Sequence, residues 1–553
     1  MKKITKWAWR LLACAMFFTA CNPAVKEQYE TVPATENVEI GTLQVAPNGW
    51  AFCTYGLSDY GNTNAKISIS CEMEVNNKSG KSCKLMWQIA QEGYPIVSTT
   101  EFEPGTSKKT VTGSTEGRIS LAASPLLYLS TNGLTASEFE IKISNLILAI
   151  EYDKKVLVGA KTWDKVASLK ETWVESGIFS HFGIAVEMRE ITNSTKAALL
   201  KRHASSITMG NEMKPQFILW GTPSETEDFT SSKGKTIKVP ANLPTTNNTS
   251  NGFGGMDTCL KFCKDNGLKM RGHVLVWHSQ TPEWFFRTNY SESGDLVSKD
   301  EMDARQEWYI KTVLEHQKKW EEENEYRAIY AWDVVNEACA DDASGLRGET
   351  SGTSGKAPSN GGSRWYQIYN DNSFITSAFV YANTYAPKDV KLCYNDYNEY
   401  MGSKTDTILD LIKDIKNTPD ARIDVMGMQS HVGYGWPKVS QYESALKKYI
   451  ALGLDIHVTE LDIGADKESS TEKKGLAKLY GDYFKLFKKY AKSGENHGIT
   501  SVTVWGINDE DSWLKYQNNY KGKTPYPLLF EKSGSDIIAK DALIAVLNAA
   551  KEE

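Results

Sequence analysis

Two glutamates occur at the ends of apolar runs whose composition is typical of buried strands, at the place where each strand should end. One segment covers residues 331–337 (AWDVVNE) and ends at Glu337; the other covers residues 457–463 (HVTELDI) and contains Glu460. Short runs of β-branched and aromatic residues favour strands. Two carboxylates in one cleft can cleave a glycosidic bond, because a protonated one donates to the leaving oxygen while an ionised one attacks the anomeric carbon or activates water. The pair predicts a glycosidase.

Other polar residues are placed to support these carboxylates. The two-residue period of a strand puts Glu460 and Asp462 on one face, and Gln429 and His431 on one face of the preceding predicted strand. An imidazole bonded to a carboxylate would orient it and keep its pKa low, as a nucleophile requires. Asn336 supplies an amide for a sugar hydroxyl. The alternative is that these groups only close strand ends or contact solvent, but their coincidence on several strands favours a shared site.

The elements that must position these side chains are predicted to be parallel strands. From residue 161 to residue 553, amphipathic helical stretches alternate with apolar runs at 182–186, 206–209, 271–278, 330–337, 390–397, 425–431, 456–463 and 499–509. Eight such runs predict an α/β fold, a (β/α)₈ barrel, whose chemistry lies at the carboxyl ends of the strands. Two inserts, at 222–251 and at the Gly/Ser-rich stretch 344–362, are expected on the surface near the mouth of the cleft.

The segment before the barrel predicts a separate all-β domain. Residues 39–153 contain short alternating runs, such as 66–71 (KISISC), 83–89 (CKLMWQI) and 139–143 (FEIKI), separated by Gly, Asn, Ser and Thr. This pattern is typical of a β-sandwich of just over a hundred residues.

The amino terminus predicts export. A basic stretch precedes the apolar residues 11–20, and Cys21 follows. Residues 1–20 resemble a bacterial lipoprotein signal with lipid attached to Cys21, although Phe18 also leaves ordinary signal cleavage open. The apolar run is too short for a transmembrane helix. Residues 21–38 are interpreted as a polar tether, so we expect a cell-surface or outer-membrane lipoprotein, with a periplasmic or secreted protein as the alternative.

The amino-acid composition limits the classes of molecule that the protein is expected to bind. The chain has 553 residues and a net charge of −6 without a strong basic stripe, which argues against nucleic acid. Its 16 Trp and 26 Tyr offer flat faces for sugar rings. The cysteines are scattered, so no disulfide framework can be deduced, and no metal-ligand spacing occurs. We expect no cofactor, no metal and a monomer.

Several motifs together resemble glycoside hydrolase family 10, the retaining endo-β-1,4-xylanases. The resemblance runs from about Leu169 to the carboxyl-terminal helix, and it rests on the two glutamate segments and on residues 272–280 (GHVLVWHSQ), 394–398 (YNDYN) and 427–431 (GMQSH). An Asn-Glu pair alone occurs in many barrel glycosidases, but the other three segments are specific. The resemblance implies that the substrates are xylan and xylooligosaccharides.

The resemblance also implies roles for individual residues. Glu337 would be the acid/base and Glu460 the nucleophile, oriented by His431 and Asp462, while Asn336 would bond the sugar 2-hydroxyl. The glycone side of the cleft would be lined by Asn211, Lys214, His273, Trp277 and Gln429. Aromatic walls that favour pentoses would be formed by Trp505 and Trp513. The two residues that reach toward the aglycone would be Asn395 and Tyr397.

Two positions depart from the family pattern. Gly210 stands where the family usually has a glutamate that bonds the distal glycone sugar, and Pro215 stands where an aromatic is typical. We therefore expect a weakened distal glycone site unless the 222–251 insert supplies a replacement.

The β-sandwich resembles carbohydrate-binding modules found beside xylanases, though only in its pattern, its length and its terminal strand. Trp50, Trp87 and Tyr94 are candidate sugar platforms, with core packing as the alternative for each. For the whole chain, the alternatives are a mixed-linkage glucanase or cellulase on the same barrel, or a surface glycan-binding protein without activity.

Overall fold

The computed structural model describes most of the chain. The described residues are 29–45, 52–57, 63–122, 125–130, 138–157, 161–340, 345–348, 362–465, 470–520 and 525–552. The predicted leader 1–20, the lipidation site Cys21 and the sugar-platform candidate Trp50 lie outside these residues. Within them, no helix is both long and apolar enough to cross a membrane.

The amino-terminal domain is a sandwich of two antiparallel sheets, as the alternating pattern predicted. One sheet has the order β1-β9-β3-β6, with β7 paired to β3, and the other has the order β2-β8-β4-β5. The strands are β1 (Tyr29–Val45), β2 (Phe52–Gly56), β3 (Asn64–Asn77), β4 (Cys83–Ile89), β5 (Ile96–Phe102), β6 (Gly105–Ser114), β7 (Ile119–Ser120), β8 (Leu126–Ser130) and β9 (Phe139–Leu157).

The boundary predicted between tether and sandwich is wrong. Residues 29–38 belong to β1, which pairs with β9 from Tyr29 opposite Leu157 onward. β1 lies at the edge of its sheet, where Pro33 is tolerated and where exposed positions such as Thr35 and Asn37 need not be apolar. A polar edge strand therefore has the composition of a linker, and only its partner β9 reveals it.

The sandwich core also corrects one predicted sugar platform. Trp87 is 1% exposed and packs in the hydrophobic core between the two sheets, because alternate residues of β4 point inward. Its ring cannot reach a polysaccharide, so the prediction for Trp87 is wrong. Tyr94, in the turn between β4 and β5, is 59% exposed.

The second domain is a closed barrel of parallel strands, as predicted. The main strands are β10 (His181–Val186), β11 (Ser206–Met209), β14 (Lys269–Gly272), β16 (Ile329–Asn336), β17 (Lys391–Asp396), β18 (Val425–Met428), β20 (Asp455–Gly464) and β21 (Ile499–Val504). Each pairs with the next, β14 pairs with β16, and β21 pairs back to β10. The short strands β15 (Val276–Trp277) and β19 (His431–Gly433) extend the barrel at the carboxyl ends of β16 and β20.

Helices connect the barrel strands. They are α1 (Met188–Ile191), α2 (Ser194–His203), α3 (Pro215–Ile218), α4 (Gly252–Asn266), α5 (Lys299–Glu323), α6 (Arg364–Tyr369), α7 (Ser373–Tyr385), α8 (Gly402–Asn417), α9 (Val439–Ile450), α10 (Ser470–Lys489) and α11 (Asp541–Ala549). Their apolar faces form one continuous core with the outer face of the barrel. A small hairpin, β22 (Phe530–Ser533) and β23 (Asp536–Ala539), precedes the last helix.

The 222–251 insert lies on the surface, but it does not line the cleft. It forms a hairpin, β12 (Thr226–Thr230) and β13 (Thr236–Pro240), that packs on the flank of α5. Ser232 donates to the carboxylate of Glu307 on α5, and Tyr290 donates to the carbonyl of Lys238 at 2.6 Å. All residues of this insert are described, and none is among the residues that line the cleft.

Candidate active site

A cleft of about 530 Å³ opens at the carboxyl ends of the barrel strands. It brings together most of the residues predicted from sequence. Its lining comprises Glu187, Gly210, Asn211, Lys214, His273, Trp277, Gln280, Glu337, Tyr397, Gln429, His431, Glu460, Trp505, Trp513 and Gln517. Glu187, Gln280 and Gln517 were not among the predicted site residues.

The sequence predicted that Glu460 ends its strand, but it lies within β20, which continues to Gly464; it is 5% exposed. One carboxylate oxygen accepts a hydrogen bond from Asn395 Nδ2 at 2.8 Å, and the other lies 3.3 Å from His431 Nε2. The carboxylate is therefore held from two sides before any substrate is present.

His431 connects Glu460 to a second carboxylate. Its Nδ1 lies 2.9 Å from Asp462 Oδ1, and the other oxygen of Asp462 accepts from Trp513 Nε1 at 2.8 Å. With a carboxylate at each ring nitrogen, the imidazole can donate twice only when it is protonated. Burial alone would lower the pKa of His431, but Asp462 and Glu460 raise it to about 10.

The same contacts keep Glu460 ionised. Burial by itself would raise its pKa, but the hydrogen bonds from His431 and Asn395, with the electrostatic effect of His273, lower it to about 2. The contribution of Glu460 to stability is complete above its ordinary pKa of 4.5 and is lost as the pH falls through about 2. The contribution of His431 is complete below its ordinary 6.5 and is lost as the pH rises through about 10.

This pairing makes a prediction for His431→Gln. Glutamine can still donate a hydrogen bond but carries no charge, so the pKa of Glu460 should rise. We expect the acid limb of the kcat/KM profile to move to higher pH, measured on a soluble aryl glycoside. The matched control is His316→Gln, since His316 pairs with Asp257, and neither residue lines the cleft. An unmoved acid limb in folded His431→Gln would contradict this account of Glu460.

Glu337 lies directly after β16 and has a different environment. Its backbone is left-handed, with a φ of 56°, a conformation that non-glycine residues adopt rarely and often at functional sites. Its N–H donates to the carbonyl of Asn395 at 2.8 Å, which holds this turn. One carboxylate oxygen accepts from Trp277 Nε1 at 2.7 Å and the other from Gln429 Nε2 at 2.9 Å. The side chain is therefore aimed into the cleft.

Asn395 corrects a predicted role. It was expected to reach toward the aglycone, but it is fully buried. Its Nδ2 donates to Asn336 Oδ1 and to Glu460, while its Oδ1 accepts from Thr459 Oγ1 at 2.7 Å. The register of the parallel strands places Asn336 of β16 beside Asn395 of β17, so the two amides meet below the cleft floor. Asn395 positions Glu460 rather than contacting a distant sugar.

Asn336 is poised for a ligand. Its Oδ1 accepts from both Asn395 and Gln429, whereas its buried Nδ2 has no hydrogen-bond partner. Buried polar groups are normally paired, so an unsatisfied donor beside the two carboxylates marks a place for an oxygen of the substrate. This agrees with the sequence expectation that Asn336 bonds a sugar hydroxyl.

One side of the cleft is a chain of polar contacts. Lys214 lies 4.8 Å from the centre of the Trp277 ring and donates to Gln280 Oε1 at 2.8 Å. Gln280 in turn donates to Asn211 at 3.2 Å. Burial lowers the pKa of Lys214, and this effect is opposed by the nearby carboxylates of Glu460 and Glu337.

The cleft floor continues to His273 and the aromatic walls. His273 Nδ1 lies 2.9 Å from Asp333, and its ring meets Trp505 edge to face with centroids 5.6 Å apart. Trp513 packs against His431 with ring centroids 4.9 Å apart. Trp505 and Trp513 are both partly exposed in the cleft rather than core residues, as the sequence prediction required.

On another side, Tyr397 is held by a residue that the sequence reasoning missed. Arg347 donates to the Tyr397 hydroxyl at 2.9 Å and to the backbone carbonyl of Glu337 at 2.6 Å. Arg347 belongs to the Gly/Ser-rich insert, whose residues 349–361 lie outside the described part of the chain. A single arginine in a low-complexity loop carries no pattern that distinguishes it.

The fold and this site define a class of protein. A (β/α)₈ barrel with two glutamates in one cleft, one strongly ionised and the other bonded to neutral donors, is a barrel glycoside hydrolase. The sequence also matches the description "Glycosyl hydrolase family 10" over residues 168–549. The chain belongs to glycosyl hydrolase family 10.

Curated relatives share this catalytic part. The sequence is 36% identical over 369 residues to endo-1,4-beta-xylanase Y of Acetivibrio thermocellus, covering 66% of this chain and 31% of that protein. It is 36% identical over 373 residues to the bifunctional endo-1,4-beta-xylanase XylA of Ruminococcus flavefaciens, covering 67% and 34%. The chain therefore matches about a third of the length of these relatives.

A solved structure resembles both domains. It contains the CBM22-1-GH10 modules of the Clostridium thermocellum N-terminal endo-1,4-beta-D-xylanase 10B complexed with xylohexaose. The TM-score is 0.60 at 27% identity, and the match covers 95% of each chain. The order of sandwich and barrel is thus shared with a protein solved with a xylan fragment.

Proposed function

We propose that this protein is a retaining endo-1,4-beta-xylanase that cuts internal linkages of xylan. The observation that carries the proposal is the unequal environment of the two glutamates. Hydrogen bonds from His431 and Asn395 keep Glu460 ionised, whereas the hydrogen bonds to the Glu337 carboxylate in the same cleft come from the neutral donors Trp277 and Gln429. Double displacement requires two carboxyl groups in one cleft, one of them ionised so that it can act as the nucleophile.

In the proposed mechanism, Glu337 protonates the leaving oxygen while Glu460 attacks the anomeric carbon and forms a glycosyl-enzyme. Glu337, now ionised, then removes a proton from water, which displaces Glu460 and restores both groups. Asn336 Nδ2 is placed to bond the hydroxyl next to the anomeric carbon. Asp462 holds His431 against Glu460 throughout.

Xylan is favoured over glucan by two observations. Trp505 and Trp513 narrow the cleft beside His431, with ring centroids 6.2 and 4.9 Å from the imidazole, which crowds a hydroxymethyl group. The curated relatives are described as xylanases, and the solved relative was complexed with xylohexaose.

The test is a panel of xylan, arabinoxylan, cellulose and mixed-linkage glucan, read by reducing ends and by product length. We expect internal cleavage of the two xylans only, with the β-anomer formed first in proton NMR, because two successive inversions at the anomeric carbon retain its configuration. Initial α-product would refute retention, preferred cleavage of glucan would refute the substrate, and binding without cleavage would identify a glycan-binding protein.

For the sandwich we propose binding to the same polysaccharide. The outer face of the sheet β2-β8-β4-β5 carries Tyr128, whose hydroxyl donates to Gln88 at 3.3 Å, with exposed Ile96 and Leu126 beside them. Burial and the neighbouring Tyr94 raise the pKa of Tyr128, so the two phenols lie near each other. Partly exposed tyrosines with a polar neighbour are suited to sugar rings.

A truncated variant that begins at Lys161 should keep its kcat/KM on soluble xylooligosaccharides and lose efficiency on polymeric xylan. The barrel has its own hydrophobic core, and the cleft-lining residues all lie beyond Lys161. In the full chain, Tyr94→Ala should reproduce the loss on polymer, with Glu92→Ala, at another exposed position of that turn, as the control. Loss of soluble turnover by the folded truncated variant would mean that the sandwich completes the active site.

We further propose that the protein is exported and anchored as a monomer to a cell-surface or outer membrane through lipid on Cys21. The basic and apolar residues before Cys21 support this proposal. Cys21→Ser should abolish labelling by a fatty-acid analogue in the producing cell and release the protein from the membrane fraction. Membrane retention without any labelling would contradict the lipid anchor.

A further inference from the structure

The polar chain along one side of the cleft ends at a carboxylate that the mechanism does not use. Asn211 Nδ2 donates to Glu187 Oε1 at 3.1 Å, and Glu187 Oε2 pairs with Arg189 Nε at 3.0 Å. Glu187 follows β10, whereas Asn211 follows the neighbouring strand β11. The carboxylate lines the cleft, and its side chain is 40% exposed.

The contacts order this side of the cleft. Starting from Glu337, the contacts lead to Trp277 and then to Lys214, which lies over the Trp277 ring. Lys214 bonds Gln280, and Asn211 links Gln280 to Glu187. In this order of contacts, Glu187 is the last group away from the reacting centre. A carboxylate offers about four acceptor sites, so its two protein partners leave capacity for hydroxyl donors of a sugar.

The opening beside Glu187 is created by Gly210. A Cβ added at Gly210 would lie 3.6 Å from Glu187 Cγ and 3.5 Å from the carbonyl of Val186, so a side chain here would project beside that carboxylate. The Gly210 N–H also donates to the Val186 carbonyl at 2.7 Å, which holds the ends of β10 and β11 together. The 222–251 hairpin, on the flank of α5, supplies nothing at this place.

We infer that Glu187 is a specificity-determining residue that accepts hydrogen bonds from the distal sugar of the glycone, replacing across the strand boundary the side chain that Gly210 lacks. The inference rests on the proposed function. The sequence predicted that Gly210 weakens binding of the distal glycone sugar, and the inference reverses this prediction.

The test compares aryl β-xyloside, which places one sugar on the glycone side, with aryl β-xylobioside, which places two. Glu187→Ala should lower kcat/KM about five- to ten-fold on the xylobioside, as expected for a partly exposed charged hydrogen bond, and leave the xyloside unchanged. Glu187→Gln, which keeps one acceptor oxygen, should lose less. Glu227→Ala, at an exposed glutamate of the β12–β13 hairpin, is the matched control.

A second set of variants moves the carboxylate from position 187 to position 210. Gly210→Glu alone should lower xylobioside cleavage, because it places a second carboxylate against Glu187, whereas Gly210→Glu combined with Glu187→Ala should recover the loss. An unchanged ratio of the two substrates in Glu187→Ala, or a gain from Gly210→Glu alone, would overturn the inference. Absence of turnover by the unsubstituted protein on both substrates would instead refute the proposed function.

Discussion

Replacement of Glu460 by alanine is expected to lower xylan hydrolysis by at least about 10⁴-fold, because no other group can form the glycosyl-enzyme. The described residues around it, Asn395 and His431, can donate hydrogen bonds but cannot attack the anomeric carbon. Aryl xylobioside should be affected as strongly as xylan, since a better leaving group still needs a nucleophile. Initial rates on both substrates measure this effect.

The matched variant is Glu460→Gln, which keeps an oxygen for Asn395 and nearly the same volume, and so separates lost chemistry from damaged packing. Both variants should bind xylooligosaccharides in calorimetry. Azide added to Glu460→Ala should give only the inverted α-glycosyl azide, because it attacks from the side of the missing carboxylate. Formation of the β-azide would assign the nucleophile to another residue.

Replacement of Glu337 by alanine is expected to lower activity on xylan much more than the rate of glycosyl-enzyme formation from an aryl xylobioside. Xylan, whose leaving group needs a proton, should lose about 10²–10⁴-fold in kcat/KM, the usual contribution of general acid catalysis. An activated aryl xylobioside should form the glycosyl-enzyme at nearly the original rate, because an acidic phenol leaves without protonation. Its turnover should then stall at hydrolysis, which also needs Glu337, and a burst of phenol should be visible in rapid-mixing kinetics.

Azide distinguishes this role from a structural one. It needs no general base, so it should accelerate turnover of Glu337→Ala and give the β-glycosyl azide, with two inversions at the anomeric carbon. Glu337→Gln, which keeps an oxygen for Trp277 or Gln429, should behave similarly. Equal losses on xylan and on the aryl substrate in both variants, without azide rescue, would show that the roles of Glu337 and Glu460 are wrongly assigned.

The barrel could be predicted from sequence because each of its strands is short, apolar and separated from the next by helical segments. The residues at the carboxyl ends of such strands share one mouth whatever the details of packing. Both glutamates and His431 could therefore be assigned to one cleft, and the family resemblance added the two tryptophans. Two glycines in the motifs also have a structural reason: a Cβ at Gly427 would clash with Asn395 Oδ1, and one at Gly272 would enter the Trp332 ring.

Other features depended on neighbours that are distant in sequence. Trp87 was a candidate platform with core packing as its alternative, and the alternation of its strand does not tell which of the two faces meets the second sheet. The start of β1 was interpreted as a tether because its composition is polar. The strand that pairs with it, β9, lies more than a hundred residues later in the sequence. The hairpin at 222–251 packs on α5 through contacts such as those of Ser232 with Glu307 and of Lys233 with Asp303, whose partners lie 75 and 70 residues apart in the sequence.

The sequence by itself determined the two-domain order, the (β/α)₈ barrel and the pair Glu337 and Glu460, because periodicity and motif order are properties of one chain segment at a time. Only the tertiary structure decided that Asn395 supports Glu460 from below and that Glu187 stands in the space beside Gly210. The reason is the register with which neighbouring parallel strands pair, because this register determines which side chains of the two strands meet. The sequence of one strand alone does not specify it.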